Sequence, residues 1–317
     1  MKTRKELTLR DIGELAAIKR ICRHLPGSKS LIRGIGDDCA VVRPCAESRY
    51  DWLLTSDAVI EGTHFKPGTT PSAIGHKAIA RVLSDIASMG GKPQWALINL
   101  VAPSKTLVKV LDGIYSGAGK LARKHKMAIA GGDTTRGPVI ELHVFVVGTT
   151  PKNTAVLRSG ARSGDIIFVT DSLGGSRRRK HLSFDPRINE GLFLRKWATA
   201  MIDVSDGLAS DLRHITDMSK TGARLDLNLI PVSSDARKGN NAISALNHAI
   251  YDGEDFELLF TVRPGKAKLF QSAWKKNFKL PCTEIGYITS QLGVIEYTDK
   301  NRKVRKLEKT GFQHFKN

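Results

Sequence analysis

Bases outnumber acids in this chain, 50 Lys and Arg against 31 Asp and Glu. The acids nevertheless gather in short turns beside glycines and hydroxyls. Gly36 precedes Asp37 and Asp38, Thr55 and Ser56 precede Asp57, and Gly131-Gly132 precedes Asp133. Asp203 is followed by Ser205, Asp206 and Gly207, and Gly253 precedes Glu254 and Asp255. Magnesium takes carboxylate and hydroxyl oxygens and is usually completed by water and substrate phosphates rather than by a closed protein cage. Acids on several loops around one cleft therefore suit phosphate chemistry with more than one ion. Each turn also has a quieter account. Asp37 and Asp38 can shape an Asx turn, Ser205 can cap the next helix with Asp206 set against its dipole, and Thr134 and Thr135 can be turn residues. His64, in a loop, can be a surface or packing histidine. Asp203, closing an apolar strand, is harder to explain in this way.

Asp85 is a different case, because it sits on a helix. In residues 74–91, IGHKAIARVLSDIASMGG, the side chains Ile74, Ala78, Ile79, Val82, Leu83, Ile86, Ala87 and Met89 form a broad apolar face. Asp85 falls at the edge of that face, where a carboxylate must be paired, hydrogen-bonded or bound to a cation. The plain partner is Arg81, one turn earlier; the alternative is a metal shared with the acidic turns. Gly90, Gly91 and Pro93 end the helix.

The elements that position these residues alternate. Helical patterns cover 9–25, 105–124, 187–198, 241–249 and 266–276, and another begins after Gly207. Strand patterns cover 52–54, 95–101, 127–130, 139–149, 165–170, 200–203 and 223–227. Several acids stand where a strand ends, which is where ligands gather in open α/β layers. The pattern restarts near residues 151–164, so the division falls into domains 1–150 and 151–317. Gly117-Ala118-Gly119-Lys120 resembles a loose dinucleotide fingerprint but lies inside a helical pattern, and no P-loop or protein-kinase signature is present. Any ATP site must work without a Walker loop.

Composition narrows the class. With 317 residues, 41% hydrophobic and 26% charged, the chain reads as a globular protein. No apolar run is long enough to cross a bilayer, and MKTRKELTLRDIGE is too polar for a signal peptide, so a cytoplasmic location is expected. Cys22, Cys39, Cys45 and Cys282 show neither zinc spacing nor a C-x-x-C pair. The net charge of +19 reflects basic runs at Arg177-Arg178-Arg179-Lys180 and in residues 301–306. No aromatics alternate with them as a single-strand platform requires, so they read as solvated faces with a general attraction for anions.

The segments GIGDDCAVV, LLTSDAVIEGTHF, VLSDIASMGGKP, AGGDTTRG, MIDVSDGLASDL and YDGEDFELLF occur in an order and at a spacing that resembles thiamine-monophosphate kinase, from about residue 34 to residue 312. That family belongs to the aminoimidazole ribonucleotide synthetase-like (PurM-like) superfamily. The resemblance implies an α+β fold of α/β layers: an N-terminal sheet-and-helix domain that binds ATP and magnesium and forms a homodimer core, and a C-terminal α/β domain. It implies ATP-dependent phosphorylation of thiamine monophosphate to thiamine diphosphate with several magnesium ions, and no membrane or nucleic-acid partner. Carried over by motif, the metal ligands are Asp38, Thr55, Ser56, Asp57, Asp85, Asp133, Asp203 and Asp206, with Asp57, Asp85 and Asp203 central to catalysis. ATP would meet Tyr115, Gly132, Asp133, Arg158 and Ser205, and thiamine would meet His64, Glu254 and Phe312. Three departures stand out: Val82 where relatives commonly have Asn, Ser56 for a usual Thr, and the basic run 177–180 in a loop that is usually small or apolar. The other readings are a selenophosphate synthetase-like or maturation enzyme of the same superfamily, and a basic nucleic-acid-binding protein on this scaffold.

Overall fold

The computed structural model describes residues 7–307 apart from 240, 300 and 302. Phe312 of the expected thiamine site lies outside the described residues. Two mixed sheets of seven strands each, with helices packed on them, make an α+β architecture.

The first sheet comprises β1 (Leu31–Arg33), β2 (Ala40–Val42), β3 (Tyr50–Ile60), β4 (Lys92–Ala102), β5 (Ala128–Gly131), β6 (Thr134–Arg136) and β7 (Glu141–Pro151), ordered β1-β2-β3-β7-β4-β5 with β6 also on β4. The β3–β7 and β7–β4 pairs are antiparallel, whereas β5 and β6 run parallel to β4. The second sheet comprises β8 (Ile166–Thr170), β9 (Ala198–Asp203), β10 (Gly222–Asp226), β11 (Leu258–Val262), β12 (Cys282–Thr289), β13 (Ile295–Thr298) and β14 (Val304–Lys306), ordered β14-β13-β10-β12-β8-β11-β9. The helices are α1 (Leu9–Ile12), α2 (Glu14–Cys22), α3 (Pro71–Ser88), α4 (Val108–Lys124), α5 (Ile188–Leu194), α6 (Leu208–Ser219), α7 (Ser234–Arg237), α8 (Ala242–Tyr251) and α9 (Pro264–Asn277).

Two differences from the sequence reading have physical causes. The helix expected over 9–25 is broken at Gly13, whose φ of 71° interrupts it. Strand β3 runs 11 residues rather than the three expected. Its inward face carries the polar residues Asp51 and Thr55, and both are satisfied there: Arg43 Nε donates to Asp51 Oδ1 at 2.8 Å, and Thr55 Oγ1 donates to Asp85 Oδ2 at 2.5 Å. Asp57 therefore sits within a strand, not in a loop after one.

Helix α3 is the centre of the molecule. Thr70 precedes it with Pro71 in its first turn, and Gly90, at φ 66°, follows its end. Its apolar face joins one continuous core that reaches from Leu53, Ile98 and Val144 of the first sheet to Phe168, Met201 and Phe260 of the second. Val82 is wholly buried in that core. Helix α4 crosses α3 at backbone contact: a Cβ on Gly75 would lie 1.8 Å from the Ile114 carbonyl oxygen, and one on Gly117 would lie 2.0 Å from that of Ser72. The glycines resembling a nucleotide loop thus include one that lets two helices touch. Among the described residues, no helix is long and apolar enough to cross a membrane.

Candidate active site

Five of the acids named by their motifs come together around the C-terminal half of α3. Asp57 projects from the inward face of β3, Asp85 from α3, Asp203 from the end of β9, and Asp206 from the turn before α6. All four line one cavity of about 220 Å³, together with Thr63, His64, Arg81, Arg177, Ser205, Glu254 and Phe256. Asp38 reaches the same cluster from the loop before β2.

The pattern Ser84-Asp85-Ser88 explains the convergence. Ser84 Oγ donates to Asp203 Oδ2 at 2.6 Å, and Ser88 Oγ donates to Asp38 Oδ2. One helical stretch thereby ties the second sheet and the N-terminal loop to itself. Neither serine was singled out from the sequence, although their positions beside Asp85 on a core helix were a usable signal. Arg158 completes the Asp38 corner: its Nη2 and Nε donate to Asp38 Oδ1 at 2.5 and 2.9 Å, and its main-chain N donates to Asp37 Oδ1 at 2.8 Å. Both Asp37 and Asp38 are therefore engaged by a residue 120 or more positions away, not by a local Asx turn alone.

The remaining charge is poorly compensated. Burial, then the charges of Asp57, Asp203 and Asp38, push the Asp85 carboxyl well above its ordinary range, and the Thr55 hydrogen bond opposes them only in part. Burial and Asp38 carry Asp203 up to about 7. Carboxylates that crowd at hydrogen-bonding distance from hydroxyls, with few cations between them, form a hard all-oxygen donor set that matches magnesium. Behind this set, Asp211 is buried and accepts from the Asp206 main-chain N at 3.1 Å, while Asp206, Asp211 and His214 each offer a ligand atom within 4.8 Å of the others. Asp211 and His214 were missed in the sequence because they sit in the first turns of an ordinary amphipathic helix.

The DGEDF loop docks on the SDG turn. Glu254 N donates to the Ser205 carbonyl at 2.7 Å and Phe256 N to that of Val204 at 2.8 Å. Ser205 thus spends its main chain on this loop, and Gly207, not Ser205, precedes α6 as its cap. Glu254 also takes Lys77 Nζ at 2.6 Å, and its Oε2 lies 3.2 Å from His181 Nδ1 and 3.9 Å from Arg177. Lys77, fully buried, donates as well to the His64 carbonyl at 2.6 Å. His64 accepts from Ile60 N through Nδ1 at 3.1 Å. Asp255 is not in the cleft: it accepts from Ser176 Oγ and from Gly174 N, anchoring the basic loop. That loop forms two short turns of 3-10 helix, Ser176–Arg178 and Lys180–Leu182. Lys180 binds buried Glu257 at 2.8 Å beside Arg187, so part of the basic run is a structural ion-pair network and part, Arg177, faces the cavity.

Not every expected residue meets there. Ser56 is exposed on the opposite face of β3 from Thr55 and Asp57, because successive strand residues alternate. Tyr115, on α4, and Gly132 and Asp133, at the β5–β6 turn, do not line the cavity. Strands β7 and β4 separate Asp57 from that turn, which at the usual strand spacing is roughly 14 Å.

Residues 36–150 match the family described as AIR synthase related protein, N-terminal domain. The thiamine-monophosphate kinase of Buchnera aphidicola subsp. Schizaphis graminum is 36% identical over 313 residues, covering 92% of this chain and 95% of the relative. That of Escherichia coli strain K12 is 33% identical over 328 residues, covering 96% and 98%. The structure of AaThiL complexed with AMPPCP and TMP superposes with a TM-score of 0.84 at 31% identity, covering 98% of this chain and all of that one. With identity at this level across nearly the whole of both partners, this chain belongs to the thiamine-monophosphate kinase family.

Proposed function

We propose that the chain transfers the γ-phosphoryl group of ATP to the phosphate of thiamine monophosphate, giving thiamine diphosphate and ADP. The observation that carries this reading is the meeting of Asp57, Asp85 and Asp203 at one cleft, with Asp38 tied to the same helix through Ser88, so that four separate segments contribute acids. The family membership supports it, and so does the relative whose structure holds an ATP analogue together with TMP.

The chemistry asks little of a base. An ionised oxygen of the acceptor phosphate forms the new bond to Pγ as the bridging Pγ–O bond breaks, and its electron pair leaves with ADP. No proton is transferred, and the summed charge is the same before and after. The obstacle is the mutual repulsion of two anions. The residues that would hold magnesium are Asp38, Thr55, Asp57, Asp85, Asp203 and Asp206, whereas Ser56 faces away from them and Asp133 would have to come from a second copy; when bound, the metal supplies charge neutralisation and alignment of the two phosphates. Ser84 and Ser88 orient the Asp203 and Asp38 carboxylates, Arg158 fixes the Asp38 loop, and Phe256 and His64 shape the wall where thiamine enters. Lys77 and His181 hold Glu254 at the rim of that wall, where its carboxylate faces a cationic thiazolium.

We further assign residues 1–150 to an ATP- and magnesium-binding, dimer-forming domain and 151–317 to a C-terminal domain. The open face of the first sheet supports the dimer: Trp52, Trp95 and Leu97 are exposed there, beside half-buried Phe145 and Val147. Since Tyr115, Gly132 and Asp133 stand away from the cleft of their own chain, a second copy is the means we propose for completing the nucleotide site. Use of ATP and four unpaired cysteines suit a reducing cytoplasm.

The test is purified protein with ATP, magnesium and thiamine monophosphate, with the products separated by chromatography and other acceptors run in parallel. Thiamine diphosphate should form, and Asp85→Asn should abolish it while leaving the circular dichroism spectrum and melting transition cooperative. Near-normal turnover by Asp85→Asn at saturating magnesium refutes the assigned role.

A further inference from the structure

Arg81 stands one helical turn before Asp85 on α3 and lines the same cavity as Asp57, Asp85, Asp203 and Asp206. The i,i+4 pair with Asp85, which the sequence offers, is not the one it makes. Its Nη2 donates to Asp57 Oδ1 at 3.2 Å and its Nη1 to the Ala58 carbonyl at 3.2 Å. Charge-assisted guanidinium bonds are ordinarily 2.7–2.9 Å and often two-pronged. Two other arginines here meet that standard: Arg158 grips Asp38 at 2.5 and 2.9 Å, and Arg187 grips Glu257 at 2.5 and 2.8 Å. Arg81 touches its carboxylate once and at long range. It is the loosely held member of the set, and it is the one facing the cleft.

It also has donors to spare. A guanidinium carries five N–H groups, and the Nε of Arg81 is buried with no acceptor among the described residues. A buried unpaired donor is costly, so an arrangement that leaves one is completed by another acceptor. Burial opposes the charge, but Asp57, followed by Glu254, Asp85 and Asp203, keeps the guanidinium protonated. In a cleft that receives two phosphates, the acceptor that suits a planar, permanently charged fork is a phosphate oxygen.

We propose that Arg81 is a catalytic residue of this chain, a built-in cation that neutralises Asp57 and, during transfer, donates to an oxygen of the phosphoryl group. The inference rests on the kinase reading above. Arg81 gives up no proton in the step; it stabilises the negative charge spread over the transferring group as the bond to the acceptor forms and the bond to ADP breaks. A carboxylate oxygen engaged by Arg81 is withheld from a divalent ion, so guanidinium and metal compete for Asp57 until substrate draws the arginine away.

Two measurements test the two parts. Arg81→Ala, and Arg81→Gln as a variant that keeps bulk and polarity without charge, are compared with the wild type in thiamine diphosphate formation. The kcat of both should fall roughly a hundredfold or more, with a smaller change in KM for thiamine monophosphate. Guanidinium added to Arg81→Ala should restore part of the rate and leave the wild type unaffected. Independently of turnover, Mn²⁺ alone titrated calorimetrically into substrate-free protein should bind several-fold more tightly to Arg81→Ala than to the wild type. Unchanged Mn²⁺ affinity overturns the counter-charge role. A variant as fast as the wild type, or a folded slow one that guanidinium does not rescue, overturns the catalytic role. Absence of product from the wild type itself sinks the kinase reading instead, and the Mn²⁺ titration still judges Arg81.

Discussion

Glu254 and Lys77 illustrate how one buried pair can matter more for pH response than for net stability. Burial alone would raise the Glu254 carboxyl, but the hydrogen bond from His181 and the charge of Lys77 overcome it and hold the group at about 2. Burial pulls the Lys77 ammonium to about 8, against Glu254, which favours its charge. The signs are opposite in effect. The depressed carboxyl stabilises the fold above its ordinary value of 4.5, and that stability is lost as pH falls through about 2. The depressed ammonium costs stability at every pH below about 8, so near neutrality the two nearly cancel, as is usual for buried ion pairs. Urea melts should therefore show the wild type losing about 3 kcal/mol from this group between pH 5 and pH 2, and Glu254→Gln should lose distinctly less over the same interval. An identical acid slope in both proteins excludes the pairing as its source. Asp85 was legible in the sequence because an acid at the edge of an apolar face demands a partner. Lys77, eight positions earlier and more deeply buried, was not, since a lysine's long stem ordinarily carries its charge out to solvent.

Helix α3 was legible from its periodicity, and its importance was legible from Asp85. Its neighbours were not. Gly117 read as part of a nucleotide fingerprint to be set aside, whereas its place is against the Ser72 carbonyl oxygen, 2.0 Å from where a Cβ would stand. Gly117→Ala must push α4 off α3, at a cost of about 1–3 kcal/mol or more. The expected result is a lower melting temperature and, because Ser84, Asp85 and Ser88 ride on α3, a fall in kcat beyond what the loss of folded protein explains. Unchanged melting and turnover contradict the close approach. Strand β3 was misjudged for the same kind of reason. Thr55 and Asp57 look like the polar end of a short strand until the Asp85 carboxylate and the Arg81 guanidinium that satisfy them arrive from α3, 30 and 24 residues away.

For the whole molecule, the exposed Trp52, Trp95 and Leu97 on the open sheet face predict self-association. Trp95→Glu should sediment as a monomer where the wild type sediments as a dimer, and should lose activity if Tyr115 and Asp133 serve the cleft only in the dimer. A wild-type monomer that is fully active rejects that assignment. The basic run 177–180 divides between structure and cleft: Lys180 neutralises buried Glu257, while Arg177 faces the acids. Residue types, their order and their local spacing were enough to establish helix α3, the α+β class and the family, and to point to oxygen-donor chemistry, because each depends on neighbours in the chain. Which acids meet could be decided only by the tertiary structure. Strand alternation turns Thr55 and Asp57 inward and Ser56 outward, and two intervening strands hold Asp133 apart. Folding also brings Arg158, Lys77 and Arg81 to carboxylates that lie between 24 and 177 positions away. Convergence of charge is a property of side-chain direction and long-range packing, and neither is written in local spacing.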